Sequence, residues 1–136
     1  MARNKAVADR LHSIAIRVLR HAREADRKSG LGPARLSALS VLVYGGPCTL
    51  GELAQAEQVT APTMTRIVQA LETDGLARRE PSPDDARASI LRATAKGKGV
   101  LERARQARLR RIETLLESAS ADDVDRLREA LDAVFS

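Results

Sequence analysis

Aromatic side chains are nearly absent from this chain, which has one tyrosine, one phenylalanine and no tryptophan in 136 residues. Its core must therefore be assembled from Leu, Val, Ile and Ala, which favours helix packing over a sheet sandwich. A single cysteine, Cys48, excludes an internal disulfide framework and fits a reducing compartment. No apolar run is long enough to cross a bilayer, and the N-terminus lacks the apolar centre of a signal peptide. A cytoplasmic protein with no membrane contact is expected. The usual catalytic constellations are missing too: there is no Ser-His-Asp order, no Gly-rich phosphate loop and no metal-ligand cluster. His12 and His21 lie nine residues apart and do not share the adjacent-turn spacing of a helical metal site. Asp84 and Asp85 are neighbours on one polar loop, which does not set two carboxylates across a substrate. Neither an enzyme, a metal nor a cofactor is expected.

What is present is a chain of ordinary soluble composition, 43% hydrophobic and 30% charged, with the length of one domain and no internal repeat. From about Lys5 to Lys28 the sequence predicts an amphipathic helix, with Val7, Leu11, Ile14, Ala15, Val18, Leu19 and Ala22 on one side. Gly30 and Gly32 end it. A second helix starts near Pro33, carries Leu36, Leu39, Leu42 and Val43, and stops at Gly45-Gly46.

The organising stretch runs from Thr49 to Gly97. Thr49 and Glu52 have the spacing of a capping box, and Leu50, Leu53 and Ala54 form the apolar stripe of a short helix. After a turn over Gln55 to Val59, Thr60 is placed to cap a second helix, with Pro62 in its first turn, where the missing N–H costs little. Met64, Ile67, Val68 and Leu71 recur at the spacing of a buried face, and the helix stops at Gly75. That leaves Thr60, Ala61, Pro62, Thr63, Thr65, Arg66 and Gln69 outward or at the open N-terminal end. Hydroxyls and N-terminal amides suit phosphates, and an Arg or a Gln suits base edges. A solvated helix face has the same composition.

Leu76 to Glu80 and Ala88 to Ala93 are short enough for two strands, joined by Pro81 to Arg87, whose prolines and acids oppose further pairing. Arg87, two residues after Asp85, can enter a narrow minor groove, and the carboxylate can hold its guanidinium in one orientation. Equally, the two residues can serve only to stiffen the hairpin. Together the elements describe a winged helix-turn-helix, mainly α with a small β-hairpin wing.

The run from Leu50 to Gly97 resembles the winged helix of the MarR family, the multiple-antibiotic-resistance type of bacterial transcription regulators. The matching pieces are LGELAQAEQVTAPTMTRIVQALETDGLARRE, then DDAR, then ATAKG. Asp85-x-Arg87 followed by a Thr-x-x-Gly helix start is the most specific of them. Ala93 departs from the pattern, because the family usually carries Leu before that Thr. The resemblance implies an α+β fold in which residues 33–97 bind DNA, while helices within 1–30 and 98–136 interleave across a two-fold axis to form a homodimer. Thr94 is expected to cap a long helix through about Ser118, and Ser120 a last one carrying Val124, Leu127, Leu131 and Val134. These terminal helices carry more apolar surface than the winged helix needs to cover itself.

A net charge of +5 suits a polyanionic partner, yet the surplus lies in the N-terminal helix and along Lys96 to Arg111 rather than in the winged helix. Some of these cations can flank DNA, and others can line an anion site. The resemblance implies an effector that is a small anion or an aromatic acid, held beside Arg108 and Arg111. The expected function is thus that of a repressor binding double-stranded DNA as a homodimer on an inverted repeat. The rival readings are a winged-helix scaffold for protein partners and a thiol sensor acting through Cys48, whose thiolate the following helix would stabilise, although a partly buried small residue is the commoner explanation of a cysteine there. Peroxide-sensing members of the family carry their cysteine in the first helix, where this chain has none.

Overall fold

The structure is a computed structural model that describes residues 1–136. Six helices and one hairpin follow in order: α1 (Ala2–Arg27), α2 (Pro33–Tyr44), α3 (Leu50–Ala56), α4 (Ala61–Thr73), β1 (Ala77–Pro81), β2 (Ser89–Ala93), α5 (Ala95–Glu113) and α6 (Ala121–Phe135). A 3₁₀ turn, Thr114–Leu116, joins the last two helices.

The local signals account for most boundaries. Thr49 accepts from the Glu52 N–H at 3.1 Å while the Glu52 carboxylate accepts from the Thr49 N–H at 3.3 Å, which completes the capping box of α3. Thr60, Thr94 and Ser120 cap α4, α5 and α6 through their hydroxyls. Gly75 ends α4 with φ of 73°, a left-handed conformation that a Cβ would oppose. The turn between α3 and α4 instead places Gln58 there, at φ 56°.

Three boundaries differ from the sequence expectation. α1 begins at Ala2 rather than Lys5, because nothing in Arg3 or Asn4 breaks a helix. The strands sit about one residue later, in the register Ala77↔Ala93 through Pro81↔Ser89, and Pro81 is tolerated because it lies at the strand end. α5 stops at Glu113 instead of continuing to Ser118, where the Thr114 hydroxyl bonds back to the Arg111 carbonyl and the chain tightens into the 3₁₀ turn.

Leu36, Leu39 and Leu42 of α2, Leu53 of α3, Met64, Val68 and Leu71 of α4, Leu76, Leu91 and Ala93 around the hairpin and Leu101 of α5 make one continuous core. Each large side chain among them contributes about 1.5–3 kcal/mol by leaving water. β2 is the middle strand of the wing, since Cys48 exchanges two backbone hydrogen bonds with Leu91 on the side opposite β1. Ala93, where the resembling family has Leu, is buried as part of that core.

α1 packs along α5, and α6 buries none of its residues. Val7, Leu11 and Ile14 of α1 and Leu127, Leu131 and Val134 of α6 all remain exposed, Val134 at 70%. No helix is long and apolar enough to cross a membrane.

Candidate nucleic-acid interface

The residues picked from the sequence divide cleanly on α4. Met64, Val68 and Leu71 are sealed in the core, and Thr60, Ala61, Pro62, Arg66 and Gln69 are exposed, with Thr63 and Thr65 half-buried at the edges. Helical periodicity alone dictates this split, because the core residues recur on the side facing α2 and α3. The N-terminal end offers less to a phosphate than expected. Thr60 Oγ1 already accepts from the Thr63 N–H at 3.3 Å, and Pro62 has none to give, so the Ala61 N–H is the one open amide of the first turn.

On the wing, the expected carboxylate–guanidinium contact does not form. Asp85 Oδ1 instead accepts from the Arg87 backbone N–H at 2.9 Å, and the Asp85 carbonyl accepts from Ala88 N–H at 3.1 Å. A short acid two residues upstream reaches the backbone more easily than the end of a long side chain, and an Asx turn results. Asp85 therefore shapes the tip of the wing, and the Arg87 guanidinium stays exposed and free.

Ion pairing sorts the arginines of the winged helix. Arg78 and Arg92 share Glu80, at 2.8 and 3.1 Å, Arg79 Nε meets Glu72 at 2.9 Å, and Arg35 approaches Asp74 at 3.8 Å. The Arg92 hydrogen bond chiefly holds the Glu80 carboxyl below its usual range, against an opposing burial cost. Lys96 Nζ donates to the Asp74 carbonyl at 2.9 Å, a cation at the C-terminal end of α4. Arg66 and Arg87 form no ion pair. The guanidinia left unneutralised are thus the one in the middle of the exposed face of α4 and the one on the wing.

Behind α4 its position is set by a compact joint. The Thr94 hydroxyl donates to the Gly75 carbonyl at 2.6 Å and accepts from the Gly97 N–H at 3.0 Å, while the Thr94 N–H donates to the Leu76 carbonyl at 3.0 Å. These hydrogen bonds tie the exit of α4 to the start of α5.

The two arginines expected beside an effector already have acidic partners within the chain. Arg108 and Arg111 are not free cations: Arg108 donates from Nε and one Nη to both carboxylate oxygens of Asp26, at 2.6 and 2.8 Å, and Arg111 pairs with Glu24. Hydrogen bonding to Asp26 also raises the Arg108 pKa, so its charge is held more tightly still. The cations without an acid along that groove are Lys28, Arg103 and Arg110. Asp26 itself went unremarked in the sequence. Its signal is that it extends the apolar stripe through Val18, Ala22 and Ala25, where an acid requires a partner from elsewhere. Cys48 is half-buried and packs against the core, as a small packing residue does. Burial first and the Glu52 carboxylate second push its thiol above the ordinary range, the reverse of what a thiolate sensor needs.

A sequence model of the MarR family matches residues 29–88. An uncharacterised helix-turn-helix-type transcriptional regulator of Mycobacterium leprae is 33% identical over 129 residues, 95% of this chain and 90% of that one. The chain belongs to the MarR family. Its MarR fold is shared by the transcriptional regulator Tm0710 of Thermotoga maritima, with a TM-score of 0.86 and 29% identity over 96% of this chain and 92% of that one. A mutant MepR of Staphylococcus aureus bound to an oligodeoxyribonucleotide also has the fold, at a TM-score of 0.75 and 19% identity, covering 93% and 94% of the two chains. As a MarR-family member the protein is a DNA-binding transcriptional regulator.

Proposed function

We propose that the protein acts as a homodimeric repressor on an inverted-repeat operator in the cytoplasm. Residues 33–97 read the DNA through Thr60, Ala61, Pro62, Thr63, Thr65, Arg66 and Gln69 of α4 with Arg87 on the wing, and the helices of 1–30 and 98–136 hold two copies together. The observation that carries this reading is the pair of unneutralised, exposed guanidinia, Arg66 on α4 and Arg87 on the wing, in a winged helix whose other arginines are paired. Support for the dimer comes from the apolar stripes of α1 and α6, which their own chain leaves in water. A two-fold dimer meets successive major grooves, so its half-sites lie roughly 10 base pairs apart. Occupying both grooves keeps other proteins off that DNA, which is repression by occlusion.

Sedimentation at micromolar concentration, followed by footprinting on fragments selected from the source genome, tests both parts. A dimer protecting an inverted repeat is expected. A monomer with these helices folded, or binding with no dependence on salt, would overturn the reading, because phosphate contacts release counterions.

The same reading includes a small anionic or aromatic effector between the winged helix and the terminal helices. A cleft of about 260 Å³ between α2 of the winged helix and α5 supports it, lined by Ser40, Tyr44, Arg105 and Arg108. A ligand that prefers another tilt of α5 weakens operator binding by its differential affinity, and DNA weakens the ligand equally. Titrating salicylate-like acids into the protein–operator complex at constant ionic strength tests this. No release by any acid would leave a regulator controlled by its abundance alone.

A further inference from the structure

The outward row of α4 carries Pro62, Arg66, Gln69 and Thr73, with Thr65 half-buried at its edge. Which of these have hydrogen-bonding capacity left over is decided inside the helix. The Thr65 hydroxyl donates to the Ala61 carbonyl at 2.9 Å, and the Thr73 hydroxyl donates to the Gln69 carbonyl, also at 2.9 Å. Thr60 spends its hydroxyl hydrogen on Thr63 Oγ1 at 2.9 Å. Thr63 keeps a hydrogen of its own, yet it is half-buried at the flank of the first turn, where a single donor suits a phosphate. Only Arg66 and Gln69 of the row offer side-chain donors with no partner in the chain, and both present two groups in a plane. The row holds no acid, because Glu72 and Asp74 lie beside it and are taken by Arg79 and Arg35.

We infer that α4 reads a guanine through Arg66 and an adenine through Gln69, one or two base-pair steps apart in each half-site. This rests on the DNA-binding reading above and adds the base identities to it. A guanidinium matches the two acceptors, O6 and N7, of guanine, and a carboxamide matches the N7 acceptor and N6 donor of adenine. Cytosine would require a carboxylate to accept from its amino group, and the row has none. Three residues of helix advance about 4.5 Å along the axis. The base-pair rise is about 3.4 Å, so the two contacts fall on neighbouring or next-neighbouring pairs.

Selection of bound sequences from a random duplex pool tests the assignment, using the full-length protein and the variants Arg66→Gln and Gln69→Arg. Both replacements are good helix formers at exposed positions without intrachain side-chain bonds, so the fold is kept. The parent should enrich G and A at the stated spacing. Arg66→Gln should exchange G for A at that position alone, and Gln69→Arg should exchange A for G at the other, each shifting the local preference by roughly tenfold or more. Binding by the parent without these bases, or an unchanged selected sequence in both variants with weaker affinity, overturns the code and leaves the DNA-binding reading standing. Failure of the parent to bind any duplex removes both.

Discussion

Arg108 and Asp26 stand 82 positions apart in sequence and meet in a two-pronged ion pair that ties the end of α1 to the middle of α5. Asp26 is only 5% exposed, so its carboxylate depends on this one guanidinium. Arg108→Ala strands the buried acid and should cost about 2–4 kcal/mol, less than a fully enclosed pair because Arg108 is itself partly in water. Replacing both residues by Leu should recover part of the loss. Urea unfolding at fixed protein concentration measures this, and equal costs for the single and double changes would mean that the pair is not the source.

Gly97 lies where α5 crosses the exit of α4, and a methyl group there would overlap the Leu76 carbonyl oxygen. Gly97→Ala should destabilise by about 1–3 kcal/mol, because backbone and not a movable side chain is in the way. Gly99, two residues on, meets only the end of Arg103 at 3.4 Å. Gly99→Ala should instead stabilise the helix by up to about 1 kcal/mol. Thermal unfolding of the two variants side by side should move in opposite directions.

The wing arginine and its neighbouring acid should separate functionally. Arg87→Ala removes a free cation and should weaken operator binding most where the minor groove is narrow, with no loss of stability. Asp85→Ala releases the Arg87 backbone N–H and should loosen the tip, so it weakens binding indirectly, by less. Binding isotherms on operators with A-tract and G·C-rich flanks distinguish the two, and identical flank dependence would place Arg87 on phosphate only.

Leu131→Glu puts a charge on the apolar stripe of α6, a helix with no buried residue in its own chain. The substitution should leave the folded content of one protomer intact while shifting sedimentation from dimer to monomer, and operator affinity should fall with it. A variant that remains a dimer would locate the interface elsewhere.

Cys48 should be slow to alkylate at neutral pH, because the thiol is held protonated above its ordinary range and the thiolate is the nucleophile. The folded state binds this proton more tightly than the unfolded chain, so the contribution is present below the ordinary thiol pKa and lost as pH rises through the folded one. Iodoacetamide labelling against pH, compared with free cysteine, should give a curve displaced to higher pH. Rapid labelling at pH 7 would restore the sensor reading.

What the sequence determined by itself is whatever depends on near neighbours along the chain. The Thr49/Glu52 box, the Thr60, Thr94 and Ser120 caps, the stop at Gly75 and the buried face of α4 all follow from spacings of three or four residues, which a helix converts directly into contact. The same periodicity puts Arg66 and Gln69 on the outer face, where they are found exposed. Tertiary structure decided which charges stay available. Arg66, Arg87, Arg92 and Arg108 are chemically alike in the sequence. Only the approach of Glu80 through the hairpin register, and of Asp26 through the packing of α1 on α5, neutralises Arg92 and Arg108 and leaves the other two free. Pairing of this kind depends on distances between residues far apart in the chain, and no local pattern encodes it.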